Sequence, residues 1–146
     1  MSGWYIAATL FYIGKLPLTP GSWGSLAALV IWLLLPLNFT IQFSAILLIL
    51  FFGVYASNKV ATELNDHDPS EVVIDEAAGM WISLFMLPHS VGLYLLAFVL
   101  FRSLDIFKPS FIHHSQNLPG GWGIMVDDIL AGLFTLAVAN GVASIL

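Results

Sequence analysis

The chain alternates between long apolar runs and short breaks of proline, glycine and charged residues, and the runs are too long and too uniformly apolar for the core of a soluble domain. Met1 to Ile13 is apolar and aromatic (Trp4, Tyr5, Phe11, Tyr12) but too short to span a bilayer. It reads as an interfacial helix, because Trp and Tyr favour the headgroup level. Gly14 to Ser25 then forms turns: Pro17 and Pro20 block regular helix, and Gly14, Gly21 and Gly24 permit unusual backbone angles.

Beyond it the pattern predicts five helices. Leu26 to Leu37, continuing a run begun near Ser22, is the first span, and Asn38-Phe39-Thr40 a tight connection. Ile41 to Ala56 is the second, extended past the membrane by Ser57 to Leu64. Asp68-Pro69-Ser70-Glu71 supplies a cap, a first-turn proline and an acid, so the third helix is placed at Val72 to Leu87. After the Pro88-His89-Ser90 turn, Val91 to Leu104 is the fourth. Lys108 to Gly123 reads as a polar loop and Ile124 to Leu146 as the fifth helix. A full span needs about 20 residues, with roughly 17 at the low end. The third and fourth runs fall below that, so they are half-embedded or borrow charged turns at one end. The expected fold is all-α: a single polytopic membrane bundle over residues 1–146, with four to five short spans and an N-terminal interfacial helix.

Composition agrees. The chain is 59% hydrophobic and 9% charged, against about 25% charged in a soluble domain. The absence of cysteine excludes a thiol nucleophile, a thiolate metal site and disulfides. A net charge of −5 argues against nucleic acid. Met1 to Gly14 holds no Lys or Arg, so no basic signal-peptide region is expected there.

Charge placement sharpens the picture. With five alternating spans, all four basic and nine acidic residues fall on one side, and the opposite connections, Pro36 to Thr40 and Pro88 to Ser90, carry none. The positive-inside bias makes the charged side cytoplasmic and the C-terminus external. Yet the acids outnumber the bases, and several sit within helix ends rather than loops.

Those acids carry the candidate chemistry. Asp75-Glu76 and Asp127-Asp128 are two pairs at expected helix starts, each with a glycine four residues after one carboxylate, Gly79 after Asp75 and Gly132 after Asp128. That spacing puts the glycine on the carboxylate's own face, one turn deeper, where it lets a neighbouring helix approach. Two such helices side by side would gather four carboxylates, a cluster that needs a cation between its charges. Mg²⁺ suits an all-oxygen set. Glu63, at the cytoplasmic end of the second helix, is a further candidate ligand. The plainer alternative is that acids at helix N-termini complement the helix dipole.

Arg102, Asp105 and Lys108 recur every three residues and share a face. They offer a guanidinium fork and a point charge for phosphate, or simply an intrahelical pair beside a snorkelling lysine. Lys15, Ser22, Ser25 and the intervening glycines could form an anion nest at a helix start. Together these groups suggest metal-assisted chemistry on a phosphorylated lipid headgroup; hydrolysis, transfer and binding stay open at this point.

Four stretches together resemble a known family. Pro17-Leu18-Thr19-Pro20-Gly21-Ser22-Trp23-Gly24-Ser25-Leu26 is similar to the P-x-x-P-G-T-x-G-S-L opening of the phosphatidylglycerophosphatase A family, with serine for threonine at Ser22. Asp68 to Gly79 resembles its D-P-x-x-I-V-x-D-E-x-x-G. Phe101 to Pro109 resembles F-R-x-F-D-x-x-K-P, with Leu104 for the second phenylalanine, and Gly121 to Gly132 resembles G-x-G-I/V-M-x-D-D-x-x-A-G. The resemblance implies a Mg²⁺-dependent phosphatase of the bacterial inner membrane, converting phosphatidylglycerophosphate to phosphatidylglycerol with its site on the cytoplasmic face. It carries over Asp75, Glu76, Arg102, Asp105, Lys108, Asp127 and Asp128. Within that set, Asp75, Asp105, Asp127 and Asp128 are expected to be catalytic. Asp75, Glu76, Asp127, Asp128 and Glu63 are the expected metal ligands. Lys15, Ser22, Ser25, Arg102 and Lys108 are expected to bind substrate. Rival readings are a headgroup phosphotransferase, whose single motif of spaced aspartates does not fit adjacent Asp127-Asp128, and a non-enzymatic cation carrier, which would place acids at mid-span or on both faces.

Overall fold

A computed structural model describes residues 3–17, 19–66, 69–107, 118 and 120–146. Among these residues the chain is all-helical: α1 Gly3–Ala8, a 3₁₀ turn Ile13–Lys15, α2 Pro20–Trp32, α3 Phe39–Leu64, α4 Ile74–Leu84, α5 Val91–Phe107 and α6 Gly120–Ile145.

The short α4 is the axle. It packs against α2, α3, α5 and α6, and of its residues only Glu76 and Trp81 are not fully buried. A helix apolar nearly all round belongs in the middle of a bundle. The main core gathers Trp32 of α2, Met80 and Leu84 of α4, Phe101 of α5 and Ala131 of α6.

The five longer helices run up and down between two ends. At one end the buried Gln42 side chain donates to the Pro36 carbonyl (3.3 Å) and accepts from the Met86 N–H (2.8 Å), tying the α2–α3 and α4–α5 connections together. At the other end the beginnings of α2 and α4, the end of α5 and the acidic stretch of α6 meet around one pocket. Six of the charged residues, Asp75, Glu76, Arg102, Asp105, Asp127 and Asp128, thus meet at one end.

Helix boundaries depart from expectation: α3 starts at Phe39, α4 stops at Leu84 rather than Leu87 and α5 runs on to Phe107, and three further departures have identifiable causes. α2 starts earlier and stops at Trp32, short of Leu37; Leu34 and Leu35 then make only three-residue turns to Ile31 and Trp32, because Pro36 disfavours helix in the residue before it. α4 begins at Ile74 rather than Val72, without a side-chain cap; Asp68 of the expected cap lies outside the described residues. Residues 71–73 are instead held by the N-terminal segment. The Val73 N–H donates to the Ala8 carbonyl at 2.9 Å, and the buried Tyr5 hydroxyl donates to the Glu71 carboxylate. Burial, then that carboxylate, hold the Tyr5 hydroxyl above the usual phenol range, so it remains a donor. α6 begins at Gly120, inside the expected loop. Gly121 is there because a Cβ would fall 2.1 Å from the Val54 carbonyl oxygen of α3, so the glycine run is a packing surface rather than a helix breaker.

Two helices, α3 and α6, are long and apolar enough to cross a membrane. The outward face of α3 carries Leu47, Leu48, Phe51 and Phe52, all exposed. A contiguous apolar face of that kind marks a lipid- or partner-facing surface.

Candidate active site

The site begins with how α4 and α6 meet. A Cβ on Gly132 would lie 2.6 Å from the Gly79 carbonyl oxygen, and one on Gly79 would lie 2.7 Å from the Asp128 carbonyl oxygen and 2.5 Å from the Phe101 ring. The two backbones therefore touch at the glycines, one turn below Asp75 and Asp128. Each carboxylate rides one helical turn above its glycine, so the contact delivers both to the same pocket.

That pocket has a volume of about 400 Å³. Its floor carries the buried or half-buried Asp75 and Glu76 of α4, Asp127 and Asp128 of α6, and Arg102 and Asp105 of α5; the exposed Thr19 and Ser70 stand at its mouth, and Pro20 and the buried Pro69 also line it. Oxygens of Asp75, Asp127 and Asp128 lie within 4.8 Å of one another, as do those of Glu76, Asp105 and Asp128. Asp75, Asp127 and Asp128 are 6%, 5% and 1% exposed. Asp75 Oδ1, Glu76 Oε2 and Asp128 Oδ1 are buried without a hydrogen-bond partner among the described residues. Oxygens so placed are costly unless something binds them, and an all-oxygen carboxylate set fits a hard divalent cation.

Asp127 and Asp128 stand in the third turn of α6, well past its first turn, which holds no acid. The helix dipole acts only within the first and last turns, so it does not account for this pair. For Asp75 and Glu76, in the first turn of α4, the dipole contributes alongside any cation.

Arg102 faces the acids from α5. Its Nη1 donates to Asp105 Oδ2 at 2.5 Å, and its Nε is buried without a partner among the described residues. Gly21, the second residue of α2, completes the wall. A Cβ there would meet Glu76 Oε1 at 2.9 Å and both Arg102 Nη atoms at 3.0 Å. The guanidinium thus lies beside the N-terminal turn of α2, whose dipole favours an anion, although Pro20 has no N–H and those of Ser22 and Trp23 donate to the Thr19 carbonyl.

Other expected residues lie elsewhere. Lys15 is exposed, its Nζ 5.4 Å from the Tyr5 ring centroid, and it does not line the pocket; the 3₁₀ turn that carries it packs on α2. Ser25 is buried and donates to the Gly21 carbonyl at 2.8 Å. Ser22 is half-buried beside Gly21 and does not line the pocket. Glu63, near the end of α3, is exposed and joins neither carboxylate group. Lys108 lies outside the described residues. Sequence reasoning missed Thr19 and Ser70 at the mouth and the tie from Tyr5 to Glu71. The last joins residues 66 positions apart, and no local pattern signals it.

Comparison with known proteins follows the same lines. A family profile described as phosphatidylglycerophosphatase A matches residues 6–143. The chain is 38% identical over 138 residues to phosphatidylglycerophosphatase A of Escherichia coli, covering 92% of this chain and 80% of that protein. It is 34% identical over 140 residues to the Haemophilus influenzae protein of the same name, covering 92% and 85%. It is also 39% identical over 149 residues to a Bacteroides thetaiotaomicron protein provisionally named a phosphatidylinositol-3-phosphatase, covering 94% and 93%. No solved structure matches.

Proposed function

The chain belongs to the phosphatidylglycerophosphatase A family, and from that membership we propose that it hydrolyses the terminal phosphomonoester of phosphatidylglycerophosphate, giving phosphatidylglycerol and inorganic phosphate. The observation that carries the reading is one pocket lined by a buried carboxylate cluster, a guanidinium and the first turn of α2. Such a pocket sets carboxylates that can hold a cation beside a guanidinium that can hold an anion, the combination that hydrolysis of a phosphate ester uses.

Asp75, Asp127 and Asp128 would hold Mg²⁺, with Glu76 beside them. When bound, the ion supplies charge neutralisation and a coordinated water acidic enough to attack near neutral pH. The remaining work falls to the chain. Arg102 receives two non-bridging phosphate oxygens through its fork, kept in place by Asp105. The N-terminal turn of α2 adds its dipole to the same anion. A floor carboxylate takes the proton of the attacking water. The phosphorus–oxygen ester bond breaks, and the glycerol oxygen leaves with a proton.

The finer topology belongs to this reading. α3 and α6 cross the bilayer, and α5, at 17 residues, sits at the low limit for a span. α2 and α4 enter without fully crossing, and α1 lies at the interface. The pocket then faces the cytoplasm of a bacterial inner membrane, because alternating the spans along the sequence puts every Lys and Arg on the side of Arg102.

The deciding measurement is phosphate release by the purified protein from phosphatidylglycerophosphate, with and without Mg²⁺. Phosphatidylinositol 3-phosphate is run in parallel, because one relative is named for it. Mg²⁺-dependent release from phosphatidylglycerophosphate is the expected result; no release with the metal present would reject the function.

A further inference from the structure

We propose that the pocket is a two-cation centre in which Asp128 bridges the ions. The proposal rests on the phosphatase reading and adds to it the number of ions and the role of Asp128.

Two observations point the same way. First, the carboxylates form two overlapping groups rather than one. Asp75, Asp127 and Asp128 offer oxygens within 4.8 Å of one another, Glu76, Asp105 and Asp128 do the same, and Asp128 alone belongs to both. A carboxylate has two oxygens and can serve a different ion with each. Second, Asp128 is 1% exposed and Asp75 6% exposed, and each lines the pocket with its Oδ1 buried and without a hydrogen-bond partner among the described residues. Buried oxygens left open at the junction of two donor groups call for a ligand there.

Charge decides the count. Five carboxylates and one guanidinium line the pocket among the described residues, a formal charge of −4. One divalent ion would leave two uncompensated negative charges in a buried site that must also admit a phosphate dianion. Two ions bring the walls to neutrality. Arg102 does not replace the second ion, because its charge is already counted in that sum and it is engaged with Asp105 Oδ2. Paired ions clamping the attacking and leaving oxygens are a recurring solution for phosphate esters.

The test uses the full-length protein in detergent, titrated with Mn²⁺ and followed by electron paramagnetic resonance, which counts bound ions and detects coupling between them without turnover. Two Mn²⁺ per chain with a spin-coupled spectrum are expected, since paired ions in such centres lie about 3.5–4 Å apart. Glu76→Gln should reduce this to one uncoupled ion, and Asp128→Asn should abolish the coupling. One uncoupled Mn²⁺ in the unmodified chain, with phosphate release intact, would overturn the two-cation centre and leave the phosphatase reading standing. Two uncoupled ions would overturn the bridge. Absence of both binding and phosphate release would remove the phosphatase reading and the proposal with it.

Discussion

Gly132 of α6 rests on the backbone of Gly79 in α4: a Cβ at 132 would fall 2.6 Å from the Gly79 carbonyl oxygen and 3.2 Å from its Cα. The obstruction is backbone, which cannot swing aside as a side-chain tip can. Gly132→Ala must therefore push the helices apart. Overpacking of this kind costs roughly 1–3 kcal/mol, and a displacement near 1 Å at the reacting groups can cost about a hundredfold in rate. The expected result is a protein that still purifies as a folded species but releases phosphate at least tenfold more slowly. Near-normal turnover would show that the glycine contact does not set the spacing of the carboxylates.

Arg102→Lys keeps the charge and loses the fork. A lysine ammonium is a point donor and cannot hold Asp105 while presenting a planar pair of N–H groups to phosphate. We expect kcat/KM to fall about tenfold or more, equivalent to roughly 1.4 kcal/mol of transition-state binding. Full activity in the lysine variant would assign Arg102 a purely electrostatic role.

Tyr5→Phe tests the tie between the N-terminal segment and the approach to α4. Tyr5 is fully buried and its hydroxyl donates to Glu71. Hydrogen bonds to charged groups contribute about 1.5–3 kcal/mol, so thermal unfolding in detergent should move several degrees lower. An unchanged melting temperature would mean that the backbone bond from Val73 to Ala8 suffices.

Topology can be read from the C-terminus. α6 starts at the acidic end, and its last residues lie at the end marked by Gln42. A reporter fused after Leu146 should therefore read as external to the cytoplasm. A cytoplasmic signal would require an even number of spans.

Much of this was legible in the chain because the signals are local. The apolar runs place the long helices, and the four-residue spacing of Asp75 to Gly79 and Asp128 to Gly132 anticipates two helices touching at small residues with acids above. The start of α6 was not legible: Gly120 to Gly123 have the composition of a turn, and only the neighbouring Val54 carbonyl reveals Gly121 as a packing residue. Nor was the start of α4, where the cap-like Asp68-Pro69 signal competes with a backbone bond to Ala8. Charge counting along the chain groups Lys15 and Glu63 with the pocket, but neither is among its lining residues, a distinction that one-dimensional counting does not make. Gly21 was readable as a source of backbone N–H groups; that its missing side chain makes room for Arg102 and Glu76 emerges only when α2, α4 and α5 are packed together.

The shortness of α4 has a consequence for substrate choice. Asp127 stands seven residues into α6, about 10 Å below its first residue at 1.5 Å per residue, and α4 starts beside it rather than rising to the same height. The acids of α4 and α6 thus lie below the start of α6, with the exposed Thr19 and Ser70 at the rim. Depth then works as a ruler. A phosphate carried on a spacer beyond the lipid's own diester, as on glycerol or inositol, reaches the floor while the diester stays at the rim. A phosphate attached directly to diacylglycerol would have to draw its ester groups into the acidic recess. Phosphatidate should accordingly be hydrolysed far more slowly than phosphatidylglycerophosphate under the same conditions, with no residue dedicated to rejecting it.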